Sequence, residues 1–489
     1  MRLLNGVREK YRSLPVTIRG SLWFLICSFL QRGISFITTP IFTRLLSTAE
    51  YGQFSVFNSW LGIVSVVVTL NLSSGVFVQG LVKFDDEKSV FASSMQGLTL
   101  VLSVAWALIY TVSHDFWNNL FGLSTVQMYA MLVMIWAAAV FNFWSTDQRV
   151  NYTYRRLLLL TLTVSVLRPA LGVFLVISAQ DKVTARILGM AAVDLAAYTG
   201  LFIAQMRRGK KFYSARFWRY AIMFNLPLIP HYLSGVILNS ADRIMINNMV
   251  GASQAGIYSL AYSLAQVMTL FNNSLLQTLE PWLYKKIKTQ GLREIETMAY
   301  PCFAFIACIN LLLIMLAPEA VAFFAPPEYY EAIYIIPPVA MSAYFTFAYS
   351  FFATFEFYYE KTALIMFATV SGAVANVALN FALIPLCGYM AAGYTTLLCY
   401  MIYAIMHYLF MRKIVRETMN GAQVYDLRIL LGMTVAFMIS GFLLLATYGL
   451  PIVRYSVIAI TVIALVVNRR KMATAVRKIM RAREEGKER

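Results

Sequence analysis

The chain has 489 residues, of which 60% are hydrophobic and 13% charged, with a formal net charge of +18. About a quarter of the residues in a soluble domain are charged, so this composition excludes a protein surrounded by water on all sides. Apolar runs of about 20 residues, the length that crosses a bilayer as a helix, recur along the chain. In lipid the backbone groups of such a run must be hydrogen-bonded within the segment. We therefore predict an all-α integral membrane protein in the lipid bilayer with about 14 transmembrane helices.

The predicted spans follow one another at short intervals, from the basic N-terminal segment to the basic tail. In chain order they are Gly20–Ile41, Phe54–Gln79, Val90–Ser113, Val126–Trp144, Leu157–Ala179, Thr184–Gln205, Phe217–Leu238, Gly256–Glu280, Ala299–Ala317, Ala332–Glu356, Thr362–Ile384, Tyr389–Met411, Leu427–Tyr448 and Pro451–Val467.

Lys and Arg residues are distributed unevenly between the two sides of these spans. If the N-terminus is cytoplasmic, five of them fall on the opposite side, namely Arg44, Lys182, Arg186, Arg243 and Arg454. Two more, Arg32 and Arg168, lie within spans, and the rest of the 41 are cytoplasmic. Cytoplasmic loops carry the excess of Lys and Arg, and one missed or false helix would invert the later loops. We therefore predict an even number of spans, with both termini in the cytoplasm.

The segments between the spans are short, which excludes several classes of protein. No G-x-x-x-x-G-K-[ST] loop for nucleotide phosphates occurs, and no loop is long enough to hold a catalytic domain. We predict that the protein is not an enzyme and that it needs no cofactor and no metal. The basic tail from Asn468 to Arg489 is predicted to lie as a helix on the anionic inner leaflet, and no nucleic acid partner is expected.

Two stretches of the sequence resemble each other. LSTAEYGQFS, Leu46–Ser55, aligns with VGASQAGIYS, Val250–Ser259, so that Gly52 pairs with Gly256. Each stretch leads into an even-numbered span, which gives the two halves of the chain the same orientation. This is the arrangement of transporters with a parallel repeat about an axis along the membrane normal.

The repeat predicts the organisation of the chain. Two six-helix lobes, residues 1–205 and 206–411, are expected to be related by a pseudo-two-fold axis. The last two helices and the basic tail follow in residues 412–489. In this design the substrate is expected between the lobes, near the midplane of the membrane.

Two longer stretches that contain the repeat resemble a known family. They are RGISFITTPIFTRLLSTAEYGQFSVFNSW, from Arg32, and ADRIMINNMVGASQAGIYSLAYSLAQV, from Ala241. Both resemble bacterial polysaccharide-biosynthesis flippases of the Wzx type, in the multidrug/oligosaccharidyl-lipid/polysaccharide exporter superfamily. The resemblance implies that the protein flips an undecaprenyl-pyrophosphate-linked oligosaccharide across the bacterial inner membrane by alternating access. It also implies a role in O-antigen, capsule or exopolysaccharide assembly, with polysaccharide polymerase machinery as a partner.

Ionisable side chains in the middle of spans are candidates for the substrate site. Inserting one costs at least about 2.5–3.5 kcal/mol, and such groups usually line a cavity. Arg32, Arg168 and Asp194 lie mid-way through the first, fifth and sixth spans. Since guanidinium groups bind phosphate oxygens in a bidentate fork, Arg32 and Arg168 are predicted to hold the pyrophosphate, with Asp194 as a counter-ion or proton site. Alternatively, either arginine pairs with Asp194 and only ties two helices together.

Other charged residues lie near the outer ends of spans. Asp242 and Arg243 are adjacent on one helix, so they do not face each other and each needs its own partner. We predict a structural or gating role for both. His231 follows the two prolines of NLPLIP, which should kink the helix, and it is predicted to act in gating or proton coupling or to be a packed histidine. Arg44 is a candidate to contact the substrate from outside.

Further polar residues lie in the last third of the chain. Asn376 and Asn380 share one helix face and are candidates to bond sugar hydroxyls, although such residues more often join helices, at about 1 kcal/mol each. His407 is expected at the membrane interface. Glu356 is expected to be solvated or paired with Lys361.

Two other functions compete with the flippase. A multidrug antiporter of the same superfamily would need carboxylates in its cavity to bind organic cations, whereas the deep charges here are two arginines against one aspartate. A cationic cavity suits an anionic lipid-linked sugar, provided that both arginines face it. A membrane polymerase or glycosyltransferase would need a larger loop or catalytic domain than the sequence offers.

Overall fold

The computed structural model describes residues 16–151, 153–419 and 422–467. Within these ranges the backbone is helical and no strand occurs, which confirms the predicted all-α class. The helices are α1 Val16–Leu45, α2 Thr48–Thr69, α3 Val76–Lys83, α4 Lys88–Val112, α5 His114–Phe121, α6 Thr125–Val150, α7 Tyr154–Ser178, α8 Lys182–Gly209, α9 Ala215–Asn225, α10 Ile229–Met249, α11 Ala252–Ala265, α12 Val267–Lys288, α13 Leu292–Met315, α14 Ala317–Phe324, α15 Ile336–Tyr358, α16 Thr362–Cys387, α17 Ala391–Thr418, α18 Leu427–Ala446 and α19 Pro451–Val467.

Every predicted span lies on one of these helices or on an interrupted helix. In the described ranges, ten helices are long and apolar enough to cross a membrane. The bent pair formed by the 3-10 turns Pro327–Tyr334 and α15 brings the number to as many as eleven. The eighth span, on α11 and α12, is not among them. The first span on α1 and the last on α19 include residues outside the described side chains, so the predicted number of 14 is approximate.

The described chain divides into two compact units, and the boundary between Val236 and Ile237 lies inside α10. In the first unit, aromatic side chains form much of the core; for example, the rings of Phe77 and Phe143 are 4.7 Å apart. In the second unit α15 is the central helix, with most of its side chains buried. The predicted lobe boundaries at residues 205 and 411 remain a prediction.

The two repeated stretches have the same local structure. Each contains a two-residue connection followed by a helix. Leu46 and Ser47 join α1 to α2, and Val250 and Gly251 join α10 to α11. Ser47 caps α2: its hydroxyl accepts the Glu50 N–H at 3.2 Å, while the Glu50 carboxylate accepts the Ser47 N–H at 2.7 Å. This reciprocal pair is a capping box, so the helix start is encoded locally.

Two helices of the first unit are interrupted at neighbouring points. After α2, Leu70 and Asn71 both take left-handed conformations with φ of 50°, which non-glycine residues rarely adopt. After α9, the chain forms the 3-10 turn Leu226–Leu228. The kink predicted for the two prolines therefore takes the form of an interrupted helix. The buried Asn225 amide donates to the Leu70 and Asn71 carbonyls, both at 2.9 Å. One side chain therefore bonds two carbonyls at the interruption, of which the Asn71 carbonyl also accepts the Ser74 N–H at 3.0 Å.

We expect Asn225→Ala to lower the stability of the first unit. The substitution leaves the Leu70 carbonyl without a side-chain donor and removes one of the two donors to the Asn71 carbonyl, and an unsatisfied buried group costs about 1–3 kcal/mol. Thermal unfolding in detergent should show a clearly lower midpoint for this variant than for the wild type. The exposed Asn119 offers a matched control, and Asn119→Ala should unfold like the wild type. Equal midpoints for the two variants would contradict the bridging role of Asn225.

Candidate functional site

A cavity of about 120 Å³ lies inside the second unit. It is bordered by side chains of α10, α11, α15 and α17 and of the residues where α11 gives way to α12. All of the lining residues are uncharged: Asn239, Tyr262, Ala265, Gln266, Thr269, Val339, Ser342, Ala343, Thr346, Tyr349 and Tyr400. Most of them carry a hydroxyl, phenol or amide group, and such groups both donate and accept hydrogen bonds.

The cavity coincides with an interruption in the eighth predicted span. Gln266 separates α11 from α12, and its N–H donates to the Tyr262 carbonyl at 2.9 Å. The Gln266 carbonyl in turn accepts the Thr269 hydroxyl at 2.6 Å. The interruption is one residue long, and Gln266 keeps helical dihedral angles (φ −59°, ψ −17°). The cavity is a candidate binding site, which the sequence did not reveal, because uncharged polar side chains converge on it.

Asp242 is the centre of a buried hydrogen-bond network beside this cavity. Its carboxylate accepts the Tyr258 hydroxyl of α11 at 2.6 Å and the Thr396 hydroxyl of α17 at 2.8 Å. The Asn380 amide of α16 donates to its other oxygen at 2.5 Å. Asp242 itself is 1% exposed. Three neutral donors on three helices therefore hold one carboxylate of α10.

The charge of Asp242 has no cationic partner within the described ranges, because no Lys or Arg nitrogen lies at ion-pair distance from it. Arg243 points elsewhere: it donates to the Asn239 carbonyl at 3.0 Å, and its guanidinium lies 4.3 Å from the centre of the Tyr262 ring. The two adjacent residues thus have separate partners, as expected for neighbours on a helix. Since Tyr262 lines the cavity, Arg243 contributes positive charge behind the cavity wall.

Asn376 and Asn380 belong to the same network. Both are fully buried, and the Asn380 amide also donates to the Asn376 side-chain oxygen at 3.3 Å. The Thr395 hydroxyl of α17 donates to the Asn380 side-chain oxygen. In this conformation Asn380 joins α10, α16 and α17, so the structure places both asparagines inside the network and away from open space. Their contact with sugar hydroxyls remains a prediction.

Arg168 and Asp194 form an ion pair in the first unit. The Arg168 Nε donates to the Asp194 Oδ1 at 2.5 Å, with 34% of the arginine side chain exposed and 1% of the aspartate side chain exposed. The pair joins α7 to α8, which is the geometry of the helix tie. Because the pairing uses only Nε, the guanidinium retains further N–H donors, and its exposed part can still reach an anion.

The remaining predicted residues lie apart from these two clusters. Arg44, in the last turn of α1, donates to the Pro40 carbonyl at 2.9 Å and is exposed. His231 is half-buried near the start of α10, and its Nδ1 has no hydrogen-bond partner in the part of the chain that the structure describes. Arg32 lies on α1, but its side chain is outside the described residues.

The structure contradicts the prediction that His407 lies at the interface and that Glu356 is solvated or paired with Lys361. Neither lies at the interface or in solvent, since both side chains are fully buried. The His407 Nδ1 is 2.7 Å from the Glu356 Oε1, so the two form a pair between α15 and α17. The prediction that Glu356 pairs with Lys361 was wrong, because the partner comes from a helix that is distant in sequence.

The comparisons with known proteins bear on this architecture. The polysaccharide biosynthesis protein family matches residues 17–287, which is more than half of the chain. The chain belongs to the polysaccharide biosynthesis protein family. This confirms the resemblance to Wzx-type flippases of the exporter superfamily, and the protein is a multi-pass membrane protein.

Individual relatives agree with the family assignment. Protein 1 of the Lsg locus of Haemophilus influenzae is 23% identical over 376 residues, which is 74% of this chain and 89% of that protein. The inward-closed lipid II flippase MurJ has the same fold, with a TM-score of 0.67, 13% identity, and coverage of 92% of this chain and 99% of that chain. An inward-facing multidrug resistance MATE transporter also has this fold, with a TM-score of 0.60, 13% identity, and coverage of 79% of this chain and 96% of that chain.

We expect Arg168→Ala to destabilise the protein more than Asp194→Ala. The first variant leaves a buried carboxylate without its partner, whereas the second leaves an arginine that is partly exposed. The loss for Arg168→Ala should be about 1.5–3 kcal/mol, the range for hydrogen bonds to charged groups. Unfolding midpoints of both variants, the double variant and the exposed control Arg207→Ala would measure this difference. If the pair ties α7 to α8, the double variant will lose less than the sum of the two single losses, and strict additivity would contradict the tie.

Proposed function

We propose that the protein flips an undecaprenyl-pyrophosphate-linked oligosaccharide from the cytoplasmic to the periplasmic leaflet of the bacterial inner membrane. It does so by alternating access, with both termini in the cytoplasm, and supplies repeat units for O-antigen, capsule or exopolysaccharide. The observation that carries the proposal is the uncharged, hydroxyl- and amide-lined cavity at the α11–α12 break, in a chain of the polysaccharide biosynthesis family. Polymerase machinery on the periplasmic side would consume the product.

The chemistry of the cavity suits a saccharide. Sugar hydroxyls need both donors and acceptors. The Gln266 side-chain amide can do both, and the Thr269 and Ser342 hydroxyls, which donate to the Gln266 and Val339 carbonyls, retain acceptor lone pairs. Aromatic rings such as that of Tyr349 add flat apolar surfaces with a polar edge. A cavity of about 120 Å³ is small, so we assign it to part of one sugar residue of the oligosaccharide.

The pyrophosphate requires cationic groups. Arg168 keeps N–H donors beyond the one it gives to Asp194, and about a third of its side chain is exposed (34%). A guanidinium retains its charge at every physiological pH and matches phosphate oxygens in geometry. We assign Arg168 to the pyrophosphate, with Asp194 fixing its orientation, and keep Arg32 and Arg44 as candidates for the same role.

Gating is assigned to the Asp242 network. Asn239 is one helical turn before Asp242, and Tyr262 is one turn after Tyr258, so two residues of the cavity wall share helices with the network. The Tyr262 hydroxyl also donates to the Asn239 side-chain oxygen at 3.1 Å. Because the network connects α10 to α11, α16 and α17, a ligand that moves Asn239 or Tyr262 also disturbs these helix contacts. Arg243 and His231 lie on the same helix and are assigned to the same step.

The rival function is export of organic cations. A cation-binding cavity gains most from a carboxylate on its wall, and none lines this cavity. Asp242 is shielded from it, since its oxygens are occupied by Tyr258, Thr396 and Asn380. The uncharged wall therefore supports the flippase over the antiporter.

The proposal can be tested with liposomes that contain a fluorescent undecaprenyl-pyrophosphate oligosaccharide. Label that reaches the outer leaflet is quenched by a quencher added outside, so the loss of fluorescence measures transfer. Wild-type protein should transfer the labelled lipid rapidly. Gln266→Ala should be slower by about tenfold, the effect of losing about 1.4 kcal/mol of substrate interaction. Arg168→Ala and Arg32→Ala should be slower as well, whereas the exposed control Gln53→Ala should match the wild type.

One outcome of this assay would contradict the proposed function, and another would contradict the assignment of the substrate-binding residues. If folded wild-type protein transfers no lipid-linked sugar but binds organic cations, the antiporter is the correct function. If Gln266→Ala and Arg168→Ala both transfer at the wild-type rate, the flippase stands but these residues do not contact its substrate.

A further inference from the structure

The buried pair of Glu356 and His407 has a feature that a simple helix contact does not need. Both side chains are fully inaccessible (0% exposed each), yet each uses only one of its two polar atoms. The Glu356 Oε2 and the His407 Nε2 have no hydrogen-bond partner in the described ranges. Buried polar atoms are normally hydrogen-bonded, so two unpartnered atoms in one pair call for an explanation.

The pair has more than one protonation state that fits its geometry. With one exchangeable proton shared over the 2.7 Å contact between Nδ1 and Oε1, the pair is neutral overall, either as carboxylate with imidazolium or as carboxylic acid with imidazole. Without that proton it carries one buried negative charge, which is costly in a dry site. Loss of the proton therefore requires that water reach the pair.

The surroundings of the pair connect it to the cavity. The Tyr349 ring lies 5.5 Å from the His407 ring and is stacked on it, and Tyr349 is also part of the cavity wall. The Tyr403 ring is 4.5 Å from His407 and 4.4 Å from Tyr349. Tyr403 in turn bonds the Thr369 hydroxyl of α16 at 2.9 Å. Two tyrosines thus lie between the pair, the cavity and the neighbouring helix.

Charged groups on the packed helices are engaged elsewhere or exposed. On α12, Glu280 accepts the Tyr284 hydroxyl and Lys286 pairs with Glu294 of α13. Also on α13, Glu296 accepts the Tyr300 hydroxyl. α16 carries no charged residue. The charged residues that follow His407 on α17 are exposed, namely Arg412, Lys413, Arg416 and Glu417. Of the other charged residues on α12, α13 and α18, Lys285 is half-buried, and Lys288, Arg293 and Arg428 are exposed. The titratable side chains whose rings contact His407 are Tyr349 and Tyr403.

We propose that the Glu356–His407 pair is a proton-binding site that takes up and releases one proton when the contact between α15 and α17 opens to water. The proton comes from water and occupies the pair in the closed, dry arrangement seen here. Release leaves the negative charge on Glu356 and is balanced by hydration of the opened site. Since Tyr349 contacts both His407 and the cavity, the proton state of the pair and the shape of the cavity wall are linked. The proposal does not depend on which substrate the cavity takes.

The protein has three histidines in all, which makes a direct test possible. Full-length protein with isotope-labelled histidine in nanodiscs gives one set of ring signals each for His114, His231 and His407, assigned by single His→Gln variants. We expect the His407 ring signals to respond to pH, because the pair exchanges its proton with water when the contact opens. In Glu356→Gln this response should differ from that of the wild type, because an amide cannot share the proton with the imidazole. Glu356→Asp, which keeps the carboxyl group, should restore part of the wild-type response.

The controls separate this site from the transport proposal. His114→Gln and His231→Gln should leave the His407 response unchanged. In liposomes that transfer lipid-linked sugar, the wild-type rate should depend on pH, and His407→Gln should lose that dependence. The proposal would be overturned if neither the His407 ring nor the Glu356 carboxyl group, followed by its infrared band, changed protonation over the whole pH range. It would also be overturned if Glu356→Gln left the His407 signals unchanged. The titration decides this even if the liposomes show no transfer at all.

Discussion

A backbone or side-chain polar group inside a membrane must find its hydrogen-bond partner within the protein, because lipid offers none. Two interruptions of helices in the described part of this chain meet that constraint. After α2, Asn225 bonds the Leu70 and Asn71 carbonyls. After α11, Gln266 forms hydrogen bonds with Tyr262 and Thr269. Each of these two interruptions is therefore tied to a named side chain.

The same constraint is met by different chemistry in the two units. Arg168 of α7 and Asn376 of α16 occupy the same position counted from the starts of their helices, Tyr154 and Thr362. In the first unit this position carries a charge that is paired with Asp194. In the second unit it carries an amide inside an otherwise neutral network around a carboxylate. A parallel repeat would allow the two units to diverge in this way, one toward an anion and the other toward hydroxyl groups.

Hydropathy predicts the spans well and their functional details poorly, for a physical reason. The seventh span was predicted to end at Leu238, but α10 runs to Met249, because its polar residues from Asn239 onward bond to other helices. The break at Gln266 is invisible in an apolar run, since hydropathy reports composition and not backbone geometry. Glu356 and His407 were misplaced at the interface because their partners are 51 residues apart in sequence, and only the packing of α15 against α17 brings them together.

Charged residues illustrate the same limit. The sequence correctly indicated that Asp242 and Arg243 need separate partners, since neighbours on a helix diverge. A pair between Arg168 and Asp194 was one of two alternatives predicted from the sequence, and the structure shows that pair. No pattern in the sequence identified the three donors to Asp242, which come from α11, α16 and α17. Most residues of the candidate site are far apart in the sequence and come together only in the folded unit.

We propose that the uncharged cavity beside Gln266 binds the sugar part of a lipid-linked substrate. Native mass spectrometry can compare the binding of undecaprenyl-pyrophosphate oligosaccharide and of sugar-free undecaprenyl pyrophosphate to purified protein. We expect wild-type protein to bind the glycosylated lipid more tightly, and Gln266→Ala to lose this preference while its affinity for the sugar-free lipid is unchanged. Equal affinity of wild-type protein for the two lipids, or an undiminished preference in Gln266→Ala, would contradict it.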